Sequence, residues 1–315
     1  MPEANTPPKI LVIGAGAIGA FYGGVLARAG CEVSAVARAG FAEISRDGYR
    51  IESALGDLSW RPAQLLRSSA DFRGNPDLLL VCLKLAAGTD PVALIRPALG
   101  ERTAIVLVAN GIDVEVPVAA AFPEHELVSG VAYAAVSRDP DGVIRHHSQY
   151  TRLVLGRYPS GSSITAQRLV ELLKKGGSSG AVSEDIVGAR WQKSTWNTVL
   201  NPVSALGGGL GSRDILGSTL TTHFVRDAIG EFIAVAAAAG HPMAEDTIDK
   251  LIAGTLKLPN YVSSMGQDFL AGRPMETEAL LGNVVRIAQR HGVSVPRLDT
   301  LYALLKMAEQ RSDPT

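Results

Sequence analysis

The chain has 315 residues, 30 basic against 31 acidic side chains, a formal net charge of −1 and 46% hydrophobic residues. That balance gives no general electrostatic reason to expect nucleic acid or a membrane surface as partner, and the length allows a large core spread over about two domains. Two cysteines, Cys31 and Cys82, exclude a disulfide framework or a Cys-rich zinc site; Cys82 lies in the apolar run Leu78 to Leu83 and reads as a buried thiol, in keeping with a reducing cytoplasm.

Residues 1–8 are Pro-rich and polar, which predicts a disordered lead-in without the apolar centre of a signal peptide. The first strand, Ile10 to Ile13, runs into Gly14-Ala-Gly16-Ala17-Ile18-Gly19 and then into a helix predicted over Ala17 to Ala29. Between strand and helix, a GxGxxG spacing points to a dinucleotide. Side chains at Gly14 and Gly16 would keep a pyrophosphate from the helix N-terminus, Ala17 and Ile18 begin that helix, and Gly19 lets it lie close to the strand.

The next strand, Val33 to Ala37, has no acid at its C-terminal end to receive a ribose 2′-hydroxyl; Arg38 stands there instead. A guanidinium can form paired hydrogen bonds to a 2′-phosphate, which predicts NADP(H) rather than NAD(H), although a strand-end arginine is also an ordinary surface residue. Alternation continues through Leu78 to Leu83, a helix near Pro91 to Leu99, and Ala104 to Val108, the pattern of a parallel sheet with crossover helices. Lys84 and Asn110 follow two of these strands, at the sheet edge where ligands bind. Asn110-Gly111 is also a turn pair in its own right.

Segments Leu127 to Ser137, Gly142 to His147 and Leu153 to Gly156 read as an antiparallel part, with Asp139-Pro-Asp-Gly142 as a turn, and a helix over Thr165 to Lys175 closes a Rossmann-type α/β domain at residues 9–182. Beyond it the strand signal stops. Helical patterns cover Glu184 to Leu200, Leu220 to Ala239, Ala244 to Leu256, Glu276 to His291 and Arg297 to Glu309, so residues 183–315 are predicted to form an all-helical substrate and dimerisation domain. Pro202, Pro242, Pro274 and Pro296 fall where helices should stop or start, and Gly207 to Gly211 reads as a loop. No apolar run approaches the ~20 residues of a membrane helix.

In the first of those helices, spacings of four place Lys193, Asn197 and Asn201 on one face, with Asn201 near the end because Pro202 cannot continue the ladder. A partly buried lysine of lowered pKa could protonate the oxygen formed in carbonyl reduction while amides hold the substrate. By itself, a lysine on an amphipathic helix is ordinarily a solvated residue. His146 and His147 are neighbours on a strand and face opposite ways, so no metal site is expected; Trp191 and Trp196 read as packing residues.

From Lys9 to Glu309 the chain resembles the ketopantoate (2-dehydropantoate 2-) reductases. The matching parts are Gly14 to Gly19, Arg38, Leu83-Lys84, Asn110-Gly111, Trp191-Gln-Lys193 with Asn197 and Asn201-Pro202, Ser263 to Asp268 with one interruption at Gly266, and Ala271-Gly-Arg-Pro-Met-Glu276. The resemblance implies NADPH-dependent reduction of a 2-keto acid, with a Rossmann domain holding cofactor and a helical domain closing the cleft. It also implies Lys193 as general acid and Glu276 as catalytic-site carboxylate. Asn197 and Asn201 become substrate-binding amides, Ser264 the contact to the substrate carboxylate, and Lys84 and Asn110 cofactor-side groups, Asn110 also bordering substrate. The expected partner is a small 2-keto acid, with a homodimer possible. Glu278, Leu281 and the Gly207–Gly211 cluster depart from the family pattern, which leaves open another keto acid and, in a different class, a non-catalytic NADP-binding sensor.

Overall fold

The computed structural model describes residues 7–312, and the chain divides into two units. Most of the expected lead-in over 1–8 lies outside the described residues. The first unit takes in the chain up to Lys84, Asp90–Ala109 and Glu115–Ala189; the second takes in Leu85–Thr89, Asn110–Val114 and the chain from Arg190 onward.

The first unit is a Rossmann-like α/β arrangement. Strands β1 (Lys9–Ile13), β2 (Glu32–Val36), β3 (Tyr49–Ser53), β4 (Leu58–Trp60), β5 (Leu65–Leu66), β6 (Leu78–Val81), β7 (Ala104–Val108), β8 (Leu127–Arg138), β9 (Ile144–Arg157) and β10 (Gly180–Val182) form one sheet. Its order is β4-β3-β9-β8-β7-β6-β1-β2-β5, with β10 beside β9. The run from β8 to β5 is parallel, and β6 and β7 are buried at every position, as strands covered on both faces must be. Helices α1 (Ala17–Arg28), α2 (Phe41–Asp47), α3 (Pro91–Ile95), α4 (Val116–Ala121) and α5 (Ile164–Lys175) connect the strands.

The two expected strands at 142–147 and 153–156 are a single strand, β9, antiparallel to β8 with a register shift opposite Ala134 and Val136. The polar interruption Ser148 to Tyr150 marks this irregularity in the ladder and not a turn. On α1, Gly23 and Gly24 let the Trp60 ring lie against the helix; its Nε1 donates to Ala20 O at 3.1 Å and its ring stacks on Tyr49 with centroids 4.8 Å apart.

The second unit is helical: α6 (Ile186–Leu206, beginning in the first unit), α7 (Ser212–Ile215), α8 (Thr219–Ala238), α9 (Thr247–Lys257), α10 (Ser264–Leu270), a π-helical turn (Glu278–Gly282), α11 (Asn283–His291) and α12 (Pro296–Ser312). Its core includes Leu200, Ile229, Phe232, Leu281, Val284 and Leu298, all fully buried. Trp191 packs on Phe232 at 5.3 Å between ring centroids, and Trp196 donates to Thr255 Oγ1, so both tryptophans are packing residues. Among the described residues no helix is long and apolar enough to cross a membrane.

Pro202 does not end α6. The helix continues to Leu206, because burial of Pro202, Ser204 and Ala205 outweighs one lost ladder bond. The glycines stop it: Gly208 and Gly209 have positive φ, and their N–H groups donate to Ala205 O and Ser204 O.

Gly19 sets the spacing of α1 on β1, since a Cβ there would collide with Gly14 O. Gly19→Ala is expected to lower stability by about 1–3 kcal/mol through overpacking, read by denaturant or thermal unfolding.

Candidate active site

The glycine turn follows β1, which places it at the C-terminal edge of the parallel strands. Gly14 has φ +87°, and a Cβ on it would lie 2.6 Å from Cys82 O, so its glycine is required by backbone conformation and by the neighbouring strand. This differs from the expectation that Gly14 makes room for a pyrophosphate. At Gly16 a Cβ would touch nothing within 4 Å, and Gly16 is the N-cap of α1. No side chain caps α1 and its first turn has no acid, so the helix start offers backbone N–H groups to an anion. These residues fit a dinucleotide pyrophosphate.

Arg38 lies two residues beyond β2 and is exposed. The glycine turn is bonded to that strand end, with Ala15 N donating to Val36 O at 3.2 Å. Lys84, also exposed, is three residues past the end of β6. The Cys82 thiol, in the same segment, is pushed up to about 12 by burial, which makes it a packing group and not a nucleophile. His146 lies within hydrogen-bond distance of Ser53 Oγ and Tyr150 O, whereas His147 faces Ser137 Oγ.

In the second unit, α6 presents the polar face. Lys193 is half-buried and donates to Asn197 Oδ1 at 3.2 Å; Asn197 and Asn201 are 6% and 2% exposed. Desolvation lowers the Lys193 ammonium from the ordinary lysine range to about 8. Asn201 Oδ1 is buried with no hydrogen-bond partner among the described residues. Such an atom forgoes about 1–3 kcal/mol, and it points to a ligand donor.

Glu276 is 8% exposed, and its Oε1 accepts from Leu85 N at 3.0 Å. Its turn is tied to α6 where Thr198 Oγ1 donates to Leu280 O at 3.0 Å. Asn110 opens a segment held by the same π-helical turn: Ile112 N donates to Ala279 O at 3.0 Å and Asn283 Nδ2 to Ile112 O at 2.6 Å. Gly111, at φ +105°, passes so close to Ala279 O that a Cβ would collide. Ser264 is exposed in the first turn of α10, where Ser263 is the N-cap, and Gly266 places α10 against Ser204 of α6.

The holding groups, Leu85 N–H, Thr198 and Asn283, had no side-chain pattern to mark them; a π-helical turn could at most have been sought beside the Glu276 motif. The departures lie elsewhere. Glu278 accepts hydrogen bonds from Tyr302 (2.9 Å) and Arg286 (2.8 Å) and pairs with Lys306 (3.2 Å). Burial alone would raise its carboxyl, but these donors together hold it below the ordinary range. Leu281 is core, and the glycine cluster stops α6.

An open helix start at the edge of a parallel sheet places the first unit in the dinucleotide-binding α/β class. The family model described as ketopantoate reductase PanE/ApbA matches residues 10–160, and its C-terminal counterpart matches 185–309. The chain belongs to the ketopantoate reductase family. It is 30% identical to a 2-dehydropantoate 2-reductase of Mesorhizobium japonicum over 95% of this chain and 97% of that protein. A Nostoc protein of the same description is 28% identical, over 96% of each chain. The solved structure of 2-dehydropantoate 2-reductase from Methylococcus capsulatus matches with a TM-score of 0.90 and 47% identity, over 97% of this chain and 98% of that one.

Gly16→Ala is expected to weaken dinucleotide binding by about tenfold or more while leaving stability within about 0.5 kcal/mol, because its Cβ enters open space at the anion site. Calorimetric titration paired with thermal unfolding separates these two effects.

Proposed function

We propose that this chain reduces 2-dehydropantoate to pantoate with NADPH, a step of pantothenate formation. The observation that carries this reading is the face of α6, where Lys193 is desolvated beside Asn197 and about two helical turns from Asn201, whose Oδ1 has no partner among the described residues. In this reading residues 9–182 hold the dinucleotide and 183–315 the keto acid. Gly14, Gly16, Ala17, Ile18 and Gly19 form the pyrophosphate turn, Arg38 pairs with the ribose 2′-phosphate, and Lys84 and Asn110 serve the cofactor side. The dinucleotide, when bound, supplies the hydride that reaches C2 of the keto acid.

Lys193 donates its Nζ proton to the carbonyl oxygen as C2 gains hydrogen, which gives the 2-hydroxy acid and a neutral amine that water reprotonates. Asn197 and Asn201 hold the substrate through their side-chain amides. Ser264, exposed at the start of α10, contacts the carboxylate. Glu276, oriented by Leu85 N–H, accepts from a substrate hydroxyl and pairs with Lys193. A sensor without turnover would have no use for a desolvated proton donor.

Lys193→Ala is expected to reduce kcat by about 10²–10⁴-fold with dinucleotide affinity unchanged. Unimpaired turnover would show that Lys193 is not the proton donor. Since the protonated amine is the active form and its pKa lies near 8, kcat/KM for keto-acid reduction should fall as pH rises through that value. Arg38→Ala should raise KM for NADPH by about tenfold or more, as loss of a charged hydrogen bond requires, with little change for NADH.

A further inference from the structure

Strands β2 and β5 run side by side with Val36 opposite Leu66, and Ala37 N donates to Leu66 O at 3.0 Å. The residues that follow, Arg38 and Arg67, therefore leave the sheet at one corner. Both are exposed, and neither has an acidic partner among the described residues. Two other arginines of this unit are ion-paired: Arg46 with Asp47 at 2.8 Å, and Arg145 with Glu52 and Asp139.

Arg67 is also pinned. Its guanidinium carbon lies 4.1 Å from the centroid of the Phe41 ring, a cation–π arrangement that restrains a flexible side chain and leaves its N–H edge available. Between the two arginines the turn is fixed from β8. Arg138 Nη1 donates to Ala39 O at 2.9 Å, and its Nη2 lies where a side chain at residue 40 would be, so only Gly40, at φ +65°, admits it. The pyrophosphate turn belongs to the same corner, through Ala15 N to Val36 O and Tyr49 OH to Ala15 O at 3.1 Å.

We propose that Arg67, held on Phe41, is a second arginine for the ribose 2′-phosphate of NADP(H), and that Arg138 is a positioning residue that fixes the turn presenting Arg38. The proposal rests on the NADP(H) reading above. Two unpaired guanidinium groups at one corner repel each other, and a phosphate dianion relieves that repulsion while offering acceptors to both.

The test is calorimetric titration of the full chain with 2′,5′-ADP and with 5′-AMP, which differ by this phosphate. The parent protein should prefer 2′,5′-ADP by about a hundredfold or more, as two charged pairs imply. Arg67→Ala should lose about tenfold or more of that preference while 5′-AMP binding and thermal stability are kept. Arg67→Lys should recover part of it, and Arg138→Met should lower it without abolishing 5′-AMP binding. If the parent shows no preference, the NADP(H) reading fails and this inference with it. If Arg38→Ala removes the preference but Arg67→Ala retains it in full, the NADP(H) reading stands and the Arg67 assignment is wrong. Equal loss of both ligands in Arg67→Ala would make the residue structural and overturn the assignment.

Discussion

Placing amides and a lysine on the inward face of a helix is unfavourable unless something satisfies them, and α6 does so with Lys193, Asn197 and Asn201. Among the described residues the buried Asn201 Oδ1 has no hydrogen-bond partner, which forgoes about 1–3 kcal/mol that an apolar residue would recover. Lys193 is held in a setting that disfavours its charge and brings its pKa close to the range useful for proton transfer. The rest of the helical unit supports this face. Burial carries α6 beyond Pro202, Thr198 ties it to the π-helical turn, and a backbone N–H from Leu85 orients Glu276. A π-helical turn leaves carbonyls outside the α-helical pattern, and here two of them, on Ala279 and Leu280, hold the Asn110 segment and α6.

At the sheet edge of the first unit, the three glycines of one motif answer three different constraints. Gly14 needs its left-handed backbone beside Cys82, Gly19 needs close contact with the preceding turn, and Gly16 alone borders open space. Only Gly16 therefore speaks directly for a ligand. The other two build the turn that makes Gly16 the start of a helix.

The central strands and long helices were legible because burial on both faces, or along one stripe, imposes apolar runs that the chain must carry. Val12, Leu80 and Val106 lie in strands of that kind, and Lys193, Asn197 and Asn201 were visible as a spacing of four. Short elements were not: α2 and the strands β3 to β5 are brief, β3 and β4 are polar on alternate residues, and β4 is held by a distant contact, Trp60 against α1. Pro202 misled because a local rule was overridden by packing. Glu278 and Leu281 looked like changes to a pocket, yet one belongs to a surface ion network with Arg286 and Lys306 and the other to the core. Whether such a residue faces the polar stripe is decided by the π-helical turn, which shifts the register of the helix after Glu276 and leaves no mark in composition.

In the proposed function the buried amides and Glu276 recognise a hydroxylated 2-keto acid. The most direct measurement compares kcat/KM with NADPH for 2-dehydropantoate and for 2-oxoisovalerate, which lacks the hydroxymethyl group. A site that binds the hydroxyl through buried polar partners should favour 2-dehydropantoate by about 10²-fold or more, since the analogue leaves those partners unpaired. Equal or faster turnover of 2-oxoisovalerate would contradict it and mark the chain as a reductase of a different keto acid.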